Sequence, residues 1–267
     1  STLFPYTTLF RSASISVAFY NEPRRRQDWQ KAEYIFDVDA KDIPIRSCGC
    51  DSVCEICLGE ALEIVNSLID TLNDDLGLDN IHLIYSGRGF HIRILDEEMM
   101  TSGSELRSEV LKYVAGAEVP KSQYINTDIS NKAFNFEHFS IPVGYPKIFT
   151  EKMKYNIQHL RGDEELDGIN PKLMKDILEA RHHLDNDEWG YFKRDVGPRR
   201  YKNLVEAMAR VNLATIDAKV SIDLKRILRL PSSLHSKVSM KCMEVKNRET
   251  FDPFKEAVPK FVYERNE

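Results

Sequence analysis

The chain runs to 267 residues, 42% hydrophobic, 30% charged and 10% aromatic, with a net charge of −5. These proportions suit a folded protein with a sizeable core and exclude a disordered, collagen-like or low-complexity chain. No apolar run reaches the roughly 20 residues of a membrane span and no signal-type leader opens the sequence, so the expected location is the cytoplasm and no membrane partner is expected. The negative total argues against indiscriminate binding to polyanions, but the charge is uneven. Residues 163–188 hold nine acidic side chains against three basic, residues 193–202 five basic against one acidic, and residues 219–241 six basic against one acidic. An acidic chain can therefore still present a basic working face.

The first twelve residues share no pattern with the rest of the chain and read as a lead foreign to the fold. Ile15 to Tyr20 predicts a short strand. Arg24, Arg25 and Arg26 then form a basic turn between Pro23 and Trp29, suited either to solvent or to a phosphate. At residues 33–42 the alternation of Tyr34, Phe36 and Val38 with Ile35, Asp37 and Asp39 is the period of two that marks a strand. One face is fit for a core, while Asp37 and Asp39 stand side by side on the other. Two like charges so close repel, and desolvating either is costly. A pair of Mg²⁺ or Mn²⁺ ions, which favour oxygen ligands, would remove that cost; the plainer reading is a strand ending in a solvated turn. Cys48, Cys50, Cys54 and Cys57 come next, within ten residues. In a reducing compartment that spacing predicts a structural Zn²⁺ knuckle over about residues 46–58 rather than disulfides. Cys242 stands alone, as a small buried hydrophobe would.

Residues 58–76 repeat leucine, valine and isoleucine at helical spacing before Gly77. Two apolar segments, Ile81 to Tyr85 and Phe90 to Leu95, flank Ser86-Gly87-Arg88-Gly89 and predict a hairpin. Arg88 in a glycine turn, with His91 on the polar face of the second strand, would make a phosphate grip. A helix is expected over 99–115, loops with short strands over 116–150, and a helical subdomain over about 152–212, with His182 and His183 at its surface. Strand character returns at Lys219 to Asp223, before a short basic helix from Leu224 to Leu230. Asp223 is either the N-cap of that helix or a third metal-binding carboxylate. His235 and Lys237 then sit two residues apart in a polar loop.

Taken together, an Ala-Phe-Tyr-Asn-Glu-Pro stretch, a Phe-Asp-x-Asp strand, the knuckle, Tyr-Ser-Gly-Arg-Gly-x-His and Ile-Asp-x-Lys-x-Ile-Leu-Arg-Leu-Pro-x-Ser-Leu-His-x-Lys resemble, in the same order, the small catalytic subunit of archaeal and eukaryotic DNA primase. The resemblance covers about residues 15–250. It implies an α/β (α+β) fold: a mixed-sheet catalytic core over 13–267, with the zinc knuckle and the helical subdomain. It assigns Asp37, Asp39 and Asp223 to catalytic Mg²⁺ or Mn²⁺, and Ser86, Arg88, His91, His235 and Lys237 to the nucleotide's phosphates. Cys48, Cys50, Cys54 and Cys57 fall to Zn²⁺. The Ser86-to-His91 spacing is one residue shorter than the commoner Ser-Gly-x-Arg-Gly-x-His form. Several dozen residues that usually precede the Ala-Phe-Tyr stretch are expected to be missing.

The implied activity is synthesis of short RNA primers on single-stranded DNA from ribonucleoside triphosphates, in a heterodimer with a large primase subunit. Two other readings compete with it. One is a polymerase of the same superfamily that acts in DNA end repair; the other is a zinc-stabilised nucleic-acid-binding module without catalysis.

Overall fold

In the computed structural model residues 13–120 and 144–259 are described. They divide into two units, one built from residues up to 42, 50–109 and 217 onward, the other from 43–49 and 110–216. Strands come early in the first unit: β1 (Ser14–Ser16), β2 (Ala18–Glu22), β3 (Gln27–Ala32) and β4 (Tyr34–Asp39). The alternation around Asp37 does form a strand, and Tyr34, Phe36 and Val38 are fully buried. The helix α1 (Glu55–Asp74) packs on this sheet. Its Leu58, Ala61, Val65, Leu68 and Leu72 are buried at the spacing of one helical face. The helix starts earlier than its apolar pattern, because the Cys54 backbone N–H donates to the Cys57 thiol and closes the first turn.

β5 (Ile81–Tyr85) and β6 (Gly89–Ile94) form the expected hairpin, and β6 is shared between β5 and β4, all antiparallel. Two short helices, α2 (Glu97–Met100) and α3 (Ser104–Ala115), replace the single helix predicted over 99–115. Arg107 explains the break. Its guanidinium is buried and donates to the carbonyls of Ala32, Glu33, Met99, Met100 and Ser102. The clasp holds the carbonyls of the link against the guanidinium, where α2 ends and α3 begins anew. Nearby, Arg93 forms a two-pronged pair with the buried Glu33.

In the second unit α4 (Gly144–His159), α5 (Pro171–Ala180), a 3-10 turn (Arg181–Asn186), α6 (Trp189–Val196) and α7 (Pro198–Ala214) enclose Phe149, Met153, Ile157, Ile177, Phe192, Tyr201, Leu204 and Met208. Asn170 caps α5 by accepting from the Leu173 N–H, with Pro171 in the first turn. α4 begins at Gly144, inside the stretch read as loops; residues 121–143 of that stretch lie outside the described residues. The paired histidines differ from one another. His182 is exposed, but His183 is held 2.9 Å from Asp195 and 3.5 Å from Glu188.

The first unit closes with α8 (Ala218–Ile222), β7 (Ile227–Arg229), β8 (Met243–Glu244) and α9 (Pro253–Glu256). Here the local reading is reversed: Lys219 to Ile222 is helical, and the segment read as a basic helix contains a strand. Asp217 starts α8 by accepting from the Lys219 and Val220 N–H groups. β7 is extended because it pairs with β1, more than 200 residues earlier. β8 joins the main sheet beside β5, giving the order β4-β6-β5-β8. Among the described residues no helix is long and apolar enough to cross a membrane.

Removing the Arg107 guanidinium would orphan several buried carbonyls at once. Arg107→Met is expected to lower the free energy of unfolding by about 3 kcal/mol or more, read from urea denaturation. A loss under about 1 kcal/mol would mean that the clasp does not hold the α2–α3 link.

Candidate active site and metal centre

β4 carries Asp37 and Asp39 to its C-terminal end, each side chain 25% exposed. Across the ladder Asp37 faces His91 and Asp39 faces Gly89. The Asp37 carboxyl is pushed up to about 7, first by burial and then by the negative charges of Asp39 and Asp217, with Arg226 and Arg88 opposing. Three carboxylates therefore share one end of the strand.

The third is not the one expected from sequence. Asp217 reaches β4 through its backbone, its N–H donating to the Asp37 carbonyl at 3.0 Å. Asp223 lies beyond the other end of α8, about 9 Å along the axis at 1.5 Å per residue. It is exposed, and its carboxylate accepts from the Lys225 N–H. An aspartate before a helical turn reads as an N-cap, and Asp217 is one. Nothing in the local sequence reveals that the same residue also leans on the strand of Asp37.

The turn between β5 and β6 brings the remaining groups together. Gly87 takes a φ of +103°, the left-handed choice favoured at the first central position of a two-residue hairpin turn. A Cβ there would lie 2.4 Å from the His235 Cβ, so the loop carrying His235 packs directly on the turn. At Gly89 a Cβ would meet the Val38 carbonyl at 2.2 Å, so only glycine lets the turn lie against the end of β4. Arg88, between them, binds Asp39 through both Nε and Nη2 and reaches Asp42 at 3.8 Å. Ser86 is buried at the start of the turn, its N–H bonded to the Gly89 carbonyl.

Both histidines are held neutral. His91 is buried, with Nε2 3.5 Å from Asp37 Oδ1 and a buried Nδ1 that lacks a hydrogen-bond partner. Burial, then the charges of Arg229 and Arg93, lowers its pKa to about 4. His235 is lowered to about 4 by burial and by Arg229 and Arg88. Its Nδ1 accepts from the Lys237 N–H, so the ring carries its proton on Nε2 and presents a donor there. The Lys237 side chain is exposed, and its charge acts on His235. Arg226 and Arg229 were hidden within the basic stretch 219–241. Arg226 lies 3.9 Å from Asp217, and Arg229 bonds the Leu234 carbonyl at the base of the histidine loop.

The four knuckle thiols lie within 4.8 Å of one another. Cys50 and Cys54 are each 3.8 Å from Cys57. In a tetrahedron with Zn–S bonds of about 2.3 Å the sulfur–sulfur edge is about 3.8 Å, so the donors fit a closed, structural Zn²⁺ site. Cys242 is buried apart, its thiol pushed up to about 11.

Residues 36–246 match the model of the DNA primase small subunit family. The chain belongs to the DNA primase small subunit family. It is 87% identical over 256 residues to the DNA primase small subunit PriS of Methanobrevibacter smithii, covering 96% of this chain and 79% of that one. Against the protein of the same name from Methanothermobacter thermautotrophicus it is 55% identical over 254 residues, covering 95% and 78%. Against that of Pyrococcus furiosus it is 37% identical over 265 residues, covering 92% and 74%. As a family member this chain is the catalytic subunit of a replicative primase, a DNA-directed nucleotidyltransferase of the RNA-polymerase type. It acts on nucleic acid and belongs to a primase complex.

Two measurements test this geometry. Cys57→Ser should release about one zinc per chain and lower the melting temperature, read by elemental analysis and thermal unfolding. Retention of full zinc would exclude a four-thiolate site. The second concerns Asp37, whose carboxyl sits near 7 in the fold against 3.8 when free. A group raised in this way contributes stability that is complete below pH 4 and is lost as the pH climbs through 7. Asp37→Asn should therefore match the wild type near pH 4 and exceed it by about 1–3 kcal/mol near pH 8 without added divalent ions, partial exposure keeping the gain below the full linkage value. Equal stability at both pH values would remove the charge crowding.

Proposed function

We propose that Asp37, Asp39 and Asp217 hold the divalent ions, Mg²⁺ or Mn²⁺, of primer synthesis, with Asp217 taking the role that local sequence pattern assigns to Asp223. The observation that carries this reading is the bond from the Asp217 N–H to the Asp37 carbonyl, which gathers three carboxylates at one strand end. Bound there, the ions would lower the charge on an attacking 3′ oxygen and on the departing pyrophosphate.

Arg88, His91, His235 and Lys237, with Ser86 at the turn, form the side on which a triphosphate is bound in this reading. Arg88 now commits its fork to Asp39. Were a bound ion to offset the Asp39 charge, the same fork would be available to a phosphate, to which its geometry is equally matched. The neutral His235 offers its Nε2 proton without the cost of burying a charge. Arg229, close enough to lower both histidines, adds positive potential behind them.

The substrates are then ribonucleoside triphosphates and a single-stranded DNA template, the partner a large primase subunit, and the location the cytoplasm. Lys219 and Lys225, exposed and with ammonium groups outside ion-pair distance of any carboxylate among the described residues, support the 219–241 stretch as a template contact. The stretch at 193–202 is weaker support, because Arg194 is paired with Asp195 and Arg200 with Asp176. Primer-independent synthesis separates this reading from an end-repair polymerase, and any templated incorporation separates it from a non-catalytic module.

Asp217→Asn is expected to reduce nucleotide incorporation by about a hundredfold or more, since it removes a negatively charged oxygen ligand of the ions that would offset charge on the reacting oxygens. Asp223→Asn should stay within a few-fold of wild type. The reverse order in a templated incorporation assay would return the third carboxylate to Asp223.

A further inference from the structure

The hairpin of β2 and β3 lies outside the residues that match the family model, and its tip carries Arg24, Arg25 and Arg26, all exposed. We propose that this tip is a sequence-independent clamp on the phosphate backbone of the template–primer duplex. The proposal rests on the polymerase reading above and adds a contact away from the carboxylates.

The tip is an ordered structure. The Arg25 N–H bonds the Glu22 carbonyl at 3.1 Å and the Arg26 N–H bonds that of Pro23 at 3.3 Å. Behind it, the Asp28 carboxylate accepts from the side chains of Asn21 and Gln30, tying the two strands together. Arg26 has a φ of +51°, a left-handed conformation in which glycine or asparagine is the unstrained choice. The turn thus places a third guanidinium where a smaller residue would fit more easily.

The charges are also available. Arg25 is 3.4 Å from Glu22, but both side chains are largely exposed, and such a pair exchanges readily for a phosphate. Arg24 and Arg26 have no carboxylate within ion-pair distance among the described residues. Forked guanidinium donors match phosphate oxygens better than they match water, and three together make a local positive field on an acidic chain.

The base of the hairpin is rooted in the catalytic unit. Val17 and Ala32 pack with Ile35, Val220 and Leu228, and Trp29 lies against them. Ile35 is two residues from Asp37 on β4, and Val220 is on α8, the helix capped by Asp217. Six residues of β3 at about 3.3 Å each carry the tip on the order of 20 Å from this root. That is the length of about six base steps at 3.4 Å. A clamp at that reach leaves the first bond formation untouched and grips the product only after several additions.

The test uses the full chain and fluorescence anisotropy on template–primer duplexes of about 4 and about 12 base pairs, compared with the variant Arg24→Ser, Arg25→Ser, Arg26→Asn across a salt series. On the long duplex the slope of log K against log salt should become shallower by about 2–3, so that the variant is roughly fortyfold less salt-sensitive between 50 and 200 mM. On the short duplex the two proteins should agree, and dinucleotide synthesis should proceed at the wild-type rate. Replacing all three arginines by lysine should restore most of the slope, which a purely structural role would not predict. An unchanged slope on the long duplex, or equal loss on both lengths, overturns the clamp; the first of these results would leave the tip to an acidic protein surface instead. Templated synthesis absent from the wild-type chain would overturn the polymerase reading beneath it.

Discussion

Crowding of negative charge at the end of β4 is the constraint on which the site depends. Asp37 sits in a sheet whose other face is the core, so it is desolvated by the packing that makes the strand stable. Asp39 and Asp217 then add like charge to a place that already disfavours it. A fold tolerates such an arrangement when something positive is supplied, and two kinds of supply are present. Arg88 neutralises Asp39 and Arg226 approaches Asp217, while the carboxylate oxygens themselves suit divalent ions. The guanidinium contacts spare the metal-free fold the full cost of repulsion.

Steric fit does the rest of the assembly. Two glycines in one turn remove the side chains that would otherwise hold His235 and β4 away. The distant loop therefore closes on the turn, and the histidine it carries is desolvated in the process. Burial and the arginines around it then set His235 and His91 as neutral donors rather than cations. In this way packing decides protonation, and protonation decides what each ring can offer a phosphate.

The zinc knuckle has a different logic. Its donors all come from ten consecutive residues, and the sulfur spacing matches a tetrahedral ion. It also begins α1, because Cys54 and Cys57 close the first turn of the helix that covers the sheet. Local geometry of this kind is legible in a sequence, since the spacing of the cysteines is the spacing of the ligands.

The same distinction between local and remote causes runs through the whole chain. The strand at Asp37 and Asp39, the hairpin with its glycine turn, the long helix and the four thiols are all readable in the sequence, because each is set by periodicity or by neighbours a few residues away. The segment from Lys219 to Leu230 reads wrongly in both halves. Its helix is fixed by the cap at Asp217 and by burying Val220, and its strand by pairing with β1 at the far end of the chain. In the same segment the aspartate that the structure brings to β4 is Asp217 rather than Asp223, through a main-chain bond that no local pattern records. The break between α2 and α3 is invisible for a similar reason, since a single buried arginine binds carbonyls of α2 together with those of the distant Ala32 and Glu33. Interactions between near neighbours leave their period and spacing in the sequence; pairings across more than a hundred residues are chosen by packing, where many weak contacts outweigh the propensity of any one segment.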